Sequence, residues 1–231
     1  MSNRFFVEPP IAEAATLVGG EAHHLLHVMR ANVGDSITLF DGSGAEFSAT
    51  ITVTRRSEVD CEITERREVD RELPFAVTLG VAMPKGDRQK QLVEKLTELG
   101  VTRLAPLMTE RSVAELKPSA LDKLRRTVIE ASKQCRRNRL MEIAEPCSLA
   151  AFMDTMASCP RRIVLHPSGD PLRREEAETD AAALVGPEGG FSDEEVEAAV
   201  GCGWLPLSLG PRILRIETAA LGVAVALGTD R

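Results

Sequence analysis

Residues 184–199 read LVGPEGGFSDEEVEAA. An apolar run stops at Gly186-Pro187, passes through Gly189-Gly190 and opens an acidic helix. Ser192 with Glu195 three residues on has the spacing of a capping box, which predicts a helix starting at Asp193. Strand, glycine loop and helix in that order build many nucleotide sites, because a helix N-terminus attracts anions. Here Asp193, Glu194 and Glu195 occupy that end. They complement the helix dipole and spoil the site for a free phosphate. The stretch is therefore either a capped helix after a tight turn or the site of a ligand that lacks phosphates and carries positive charge. S-adenosylmethionine, an adenosine bearing a sulfonium, has that chemistry; bulk at Gly189 would then be expected to fill the loop and abolish binding.

A second constellation lies downstream, LSLGPRILRIETAALGVAVAL at 207–227. A strand ends at Leu209, a Gly-Pro loop carries Arg212 and Arg215, and Glu217-Thr218 opens a helix of small residues. Two arginines at a strand end can hold an RNA phosphate or a carboxylate. Alternatively, Arg215 pairs with Glu188 or Glu217 and fixes the loop.

Upstream, from Pro74, strands and helices alternate. Phe75–Met83 is strand-like, and Arg88–Leu99 carries Leu92, Val93, Leu96 and Leu99 along one side before Gly100 stops it. Leu104–Leu107, Ile163–Leu165, Ala181–Val185 and Leu205–Leu209 read as further strands. Leu121, Leu124, Val128, Ala131 and Cys135 share a helix face, with Lys123, Arg126, Lys133 and Arg137 together on another. Such alternation implies an α/β domain with a mostly parallel sheet, whose ligands bind beyond the carboxyl ends of strands. Three loops qualify: Leu165-His166-Pro167, Gly186 to Gly190, and Gly210 to Arg215.

The first seventy residues have a different rhythm. Ile37 and Leu39, then Phe47, Ala49, Ile51 and Val53, then Val59, Cys61 and Ile63 alternate with polar residues, and Asp41-Gly42-Ser43-Gly44 turns the chain. Short strands of this kind suit a small barrel or sandwich. One helical piece, Glu21 to Arg30, interrupts them. After the charged run that leads to Pro74, a boundary at residue 72 divides a β domain, 1–72, from an α/β domain, 73–231.

Whole-chain totals exclude several classes. At 231 residues and 43% hydrophobic content the chain is globular. The start lacks the apolar stretch of a signal peptide, and the longest apolar run, 219–227, is far too short to span a bilayer. Five cysteines without C-x-x-C spacing argue against a zinc ribbon or disulfide framework and favour reduced thiols in a cytoplasm. His23 and His27 have the i, i+4 spacing of a metal pair, but no third ligand accompanies them, so no metal is expected. There is no P-loop, no G-x-G-x-x-G and no G-x-S-x-G. Net charge is −7, yet Leu121 to Leu140 holds seven lysines and arginines against two acids. That stretch is either a solvated helix face or a place for RNA.

LVGPEGGFS followed by LSLGPRILRIETAAL closely resembles the RsmE family of bacterial ribosomal RNA methyltransferases, in the SPOUT (trefoil-knot) superfamily. The likeness covers nearly the whole chain: HHLLHVMRANVGD and LFDGSG are similar to the family's N-terminal part, and VAMPKGDRQKQLVEKLTELGV, TERSV and QCRRNR to the entry into its catalytic domain. The resemblance implies a PUA-like β-barrel that helps hold RNA, followed by a SPOUT domain whose C-terminal segment is threaded as a deep trefoil knot. It implies a homodimer that uses S-adenosylmethionine to methylate N3 of one uridine in the decoding region of 16S ribosomal RNA, within the small subunit. Cofactor contacts would come from Leu165, His166, Gly186, Glu188, Gly190, Leu209, Gly210, Ile213 and Leu214. Arg4, Arg30, Lys133, Arg136, Arg137, Arg139 and Arg212 would lie near RNA; Lys133 stands where close relatives often carry an acid.

Chemistry adds two candidates. Uracil N3 holds a proton at neutral pH and must lose it as the methyl arrives. Arg215 could stabilise the anion that develops on O2 or O4, and Glu217 is a possible base, although an acid opening a helix is more often structural. Two other readings fit parts of the sequence: a SPOUT ribose 2′-O-methyltransferase, and a non-catalytic RNA-binding or assembly protein. Intact cofactor loops speak against the latter.

Overall fold

The computed structural model describes residues 3–112, 116–173 and 179–228; Val113 of the TERSV segment lies outside them. The chain forms two compact units, one of residues 1–72 with 132–140, the other of 73–131 with 141–231.

The first unit is a five-stranded sheet, formed by β1 (Arg4–Phe6), β2 (Ala14–Val18), β3 (Ser36–Phe40), β4 (Ala45–Thr54) and β5 (Glu58–Glu68) in the order β1-β3-β4-β5-β2. β1 pairs parallel with β3, and the other pairings are antiparallel. Register shifts between Ser48 and Ala49 and between Ile51 and Val53 bend the long β4–β5 ladder. Residues at period two, Ile37, Leu39, Phe47, Ala49, Ile51, Val59 and Cys61, fill its core with Phe5, Leu17 and Leu25. Burial beside Asp60 pushes the Cys61 thiol up to about 11, so it acts as a small apolar group. The expected helix starts and ends two residues earlier and is irregular: α1 (Gly19–His23) widens into a π turn over His24–Val28, and Arg30 beyond it has a φ of 57°. Met29 N donates to His24 O at 3.0 Å across that turn, the i→i+5 bond of a π bulge.

The second unit contains β6 (Val77–Val81), α2 (Arg88–Glu98), β7 (Arg103–Met108), α3 (Pro118–Cys135, whose last turn belongs to the first unit), β8 (Glu142–Ile143), β9 (Cys147–Ser148) and α4 (Leu149–Thr155). It continues through β10 (Arg161–Pro171), β11 (Ala181–Val185), α5 (Asp193–Gly201), β12 (Leu205–Ser208) and α6 (Ile216–Gly228). The strands run β12-β10-β11-β6-β7-β8, with β9 also on β7, and every pairing is parallel. α2 and α6 pack on each other, with α6 against β6 and β11. Phe152 of α4 and Ala199 of α5 pack with Trp204, Ala182 and Leu184 in another apolar cluster. Sequence periodicity finds the central strands but misses β1, β2, β8, β9 and α4; β1, β8 and β9 have only two or three residues, too few for a pattern to register.

Candidate active site: a cavity at three adjacent strand ends

β12, β10 and β11 are neighbours, so the loops leaving the carboxyl ends of β11 and β12 converge beside the middle of β10, which runs on to Pro171 past the strand end expected at Leu165. β10 pairs with β12 up to Leu165, opposite Leu207, and pairs again only at Asp170. The intervening residues bulge out, with His166 Nδ1 and Ser168 Oγ 2.8 Å apart. Together the two loops and this bulge enclose a cavity of about 340 Å3, a size typical of small-molecule sites. Leu165, His166, Gly186, Glu188, Gly190, Leu209, Gly210, Ile213 and Leu214 all line it, as do Arg111, Asp193 and Arg212.

The loop after β11 has its shape for local reasons. Gly190 has a φ of 71°, where a side chain is strained, and its N–H donates to Pro187 O at 2.8 Å. A Cβ on Gly186 would sit 3.1 Å from the Phe191 ring. The capping box is present: Ser192 Oγ accepts from Glu195 N at 3.3 Å and Glu195 Oε2 from Ser192 N at 2.9 Å. The other oxygen, Oε1, accepts from Glu110 N at 2.9 Å, in the turn after β7. Next to Glu110, Arg111 donates Nη1 to Gly189 O at 3.0 Å and to Phe191 O at 3.3 Å.

Arg88 at the start of α2 makes a second tie, its Nη2 3.2 Å from Glu188 Oε1 and its Nη1 3.6 Å from Glu217 Oε2. The role offered to Arg215, pairing with Glu188 or Glu217, therefore falls to Arg88. Arg215 is exposed, and among the described residues its side chain has no hydrogen-bond or ion-pair partner. It does not line the cavity, but its neighbours Leu214 and Ile216 do. Arg88 and Arg111 went unselected in the sequence because their partners lie some eighty to a hundred residues away; only their presence in the KGDR and TERSV segments pointed to them.

The residues offered to RNA divide sharply. Arg4 is buried, with Nη1 3.1 Å from Glu46 Oε2 and Nη2 donating to Arg137 O at 3.1 Å and to Asn138 Oδ1. Lys133 pairs with Glu21 at 2.8 Å, and Arg137 with Glu72. Arg71 donates to Glu46 Oε2 at 3.3 Å and to Arg136 O at 3.0 Å. The expected basic stripe is thus broken: Lys123 and Arg126 are exposed in the second unit, whereas Lys133 and Arg137 are buried in the first. Arg30, Arg136, Arg139 and Arg212 are exposed. The rings of His23 and His27 have centroids 4.7 Å apart and are tilted by 50°, and among the described residues no group of three or more potential ligands is placed to hold a metal.

The fold and the cavity define an RNA-modifying enzyme of the α/β methyltransferase class: residues 71–228 match the RNA methyltransferase domain, and residues 18–64 the RNA methyltransferase PUA domain. The chain belongs to the ribosomal RNA small subunit methyltransferase E family. It is 32% identical to the Synechocystis member over 95% of this chain and 75% of that one, and 30% identical to the Bacillus subtilis member over 94% and 93%. A Neisseria gonorrhoeae ribosomal RNA small subunit methyltransferase E, solved bound to S-adenosylmethionine, superposes with a TM-score of 0.89 at 29% identity, covering 97% of this chain and 95% of that one. A Legionella pneumophila methyltransferase solved with the same cofactor gives 0.87 at 34% identity, covering 98% and 97%.

Proposed function

We propose that this enzyme transfers a methyl group from S-adenosylmethionine to N3 of a uridine in the decoding region of 16S ribosomal RNA, within the small subunit. The observation that carries the reading is the convergence on one cavity of the Gly-, Pro- and Leu-rich loops after β11 and β12 with the bulge in β10. The cavity suits this cofactor. Its walls offer backbone groups for an adenosine, its lining holds the carboxylates of Glu188 and Asp193 as well as the guanidiniums of Arg111 and Arg212, and the acids of the first turn of α5 disfavour a phosphate. When bound, the cofactor supplies an electrophilic methyl on a sulfonium; the protein contributes the alignment.

Leu165, His166, Gly186, Glu188, Gly190, Leu209, Gly210, Ile213 and Leu214 form the cofactor wall. Arg215 stabilises the negative charge that grows on the uracil as N3 loses its proton. Glu217 has a side chain only 17% exposed and sits on Arg88. It anchors the loop that presents Arg215 rather than acting as the base. In the first unit, read as a PUA-like RNA-holding domain, Arg30, Arg136 and Arg139 offer exposed charge to RNA, and Arg212 does so from the second. Exposed Leu205, Ile213 and Val225 support self-association as a homodimer. The order β12-β10-β11-β6, with the last strand laid at the edge before α6 returns to β6 and β11, is compatible with a knotted C-terminal segment. No described helix is long and apolar enough to cross a membrane; a ribosomal substrate supports a cytoplasmic location, and free cysteines are in keeping with it.

The test uses methyl-labelled S-adenosylmethionine and small subunits lacking the native modification, followed by digestion and identification of the labelled nucleoside. N3-methyluridine is expected. A 2′-O-methyl nucleoside would transfer the enzyme to ribose chemistry, and binding of RNA without label or cofactor uptake would leave only an RNA-binding role.

A further inference from the structure

The turn after β7 is joined to the glycine loop by two contacts that run in opposite directions. Arg111 reaches across with its side chain to the carbonyls of Gly189 and Phe191, at 3.0 and 3.3 Å. Glu195 reaches back with its side chain to the backbone N–H of Glu110, at 2.9 Å, while its second oxygen caps Ser192. A capping box uses one acceptor oxygen of its glutamate; here the spare oxygen is spent on a residue 85 positions away in sequence. The turn that carries Arg111 is itself braced, since Thr109 N donates to Ser112 Oγ at 2.9 Å and Ser112 N to Thr109 O at 3.1 Å. The aliphatic stem of Arg111 also covers the loop: the nearest atoms to a Cβ placed on Gly189 are Cδ and Cβ of Arg111, at 3.4 and 3.6 Å.

We infer that Arg111 and Glu195 form a latch that holds residues 186–192 in the shape that receives the cofactor, with Arg111 as a positioning residue. Loop carbonyls satisfied by Arg111 keep Gly189 and Phe191 from turning over. The amides of Gly190 and Ser192, bonded to Pro187 O and Glu195 Oε2, then stay in place. Pre-ordering of this kind lowers the entropy lost on binding. The inference rests on the reading of the cavity as a cofactor site, but the latch itself can be measured in the ligand-free protein.

Arg111→Met keeps the stem over Gly189 and removes the donors, and Glu195→Gln removes one of two acceptor oxygens. Hydrogen exchange of the ligand-free full-length chain and calorimetry with S-adenosylmethionine and its decarboxylated analogue form the experiment. In Arg111→Met the Gly190 and Ser192 amides should exchange about tenfold faster, while the Trp204 amide, bonded to Ala199 O, is unchanged. Both ligands should weaken by the same factor, about tenfold, as for the loss of one or two hydrogen bonds. Glu195→Gln should loosen either the Ser192 or the Glu110 amide, whichever loses its oxygen. Unchanged exchange overturns the latch. Loss of S-adenosylmethionine with the analogue spared also overturns it, making Arg111 a direct ligand of the carboxylate. Should Arg111→Met speed Trp204 as well, Arg111→Lys decides, since it keeps stem and charge but not the two-carbonyl contact. Faster loop exchange in a chain whose wild type binds no S-adenosylmethionine supports the latch and removes the cofactor reading.

Discussion

Glu72 takes the guanidinium of Arg137 on both oxygens, Nε donating to Oε1 at 3.1 Å and Nη2 to Oε2. The Arg137 side chain is 4% exposed and that of Glu72 17%. Removing the cation strands a largely buried carboxylate, which costs about 3–5 kcal/mol. Arg137→Met should therefore lower the urea midpoint strongly. The slope of log RNA affinity against log salt should not change. Arg139→Ala should do the reverse, reducing that slope by about one with little effect on stability.

Glu46 draws Arg4, Arg71 and Arg67 to distances of 3.1, 3.3 and 3.4 Å. Burial alone would raise its carboxyl, but Arg71 and Arg4 outweigh that and hold it below the ordinary glutamate value. A depressed folded-state value means stability that is present above about pH 4.3, the unfolded value, and lost as pH falls through the folded one. The difference in unfolding free energy between wild type and Glu46→Gln should be flat from neutral pH to about 5 and should shrink below about 4.

Substitutions in the glycine loop should not be equivalent. At Gly186 added bulk meets the Phe191 ring, and at Gly190 it meets a φ of 71°. At Gly189 it meets only the flexible Arg111 stem, at a normal contact distance. For a single added carbon the steric conflict therefore falls on Gly186 and Gly190, whereas the larger Gly189→Val is the change expected from sequence to fill the loop. Calorimetry should find cofactor affinity within threefold of wild type for Gly189→Ala, about tenfold weaker for Gly190→Ala and absent for Gly186→Val.

Arg215→Ala should lose methyl transfer by a factor of about a hundred or more, the scale of one lost oxyanion donor, with cofactor affinity within a few fold. Full activity would remove Arg215 from the chemistry. Glu217→Gln, by contrast, should keep transfer within tenfold and weaken the cofactor modestly; a collapse of kcat with unchanged cofactor affinity would make Glu217 the base.

What the sequence made legible follows from the range of the interactions involved. The start of α5 needs only Ser192 and Glu195, three residues apart, and is where the spacing puts it. The cavity walls were visible because Gly and Pro after an apolar run mark a strand end in any parallel sheet. Arg88 and Arg111 were not singled out, since nothing local distinguishes them from other surface arginines. The same blindness applied to Arg4, Lys133 and Arg137. A sequence displays their charge, but not Glu46, Glu21 and Glu72, which neutralise it from 42, 112 and 65 residues away.

Two of those three pairs, Lys133–Glu21 and Arg137–Glu72, also decide how the chain can be cut. Because residues 132–140 complete the first unit, a fragment ending at Glu72 would carry Glu21 and Glu72 without the cations that face them and would lack Asn138, the partner of Arg4 and of Val69 O. Such a fragment should behave as an unfolded or loosely collapsed chain, and a peptide of residues 132–140 supplied in trans should restore its sheet. The N-terminal β unit is thus an interrupted module, finished only after the chain has begun its α/β half, so that during synthesis it cannot close before residue 140 has emerged.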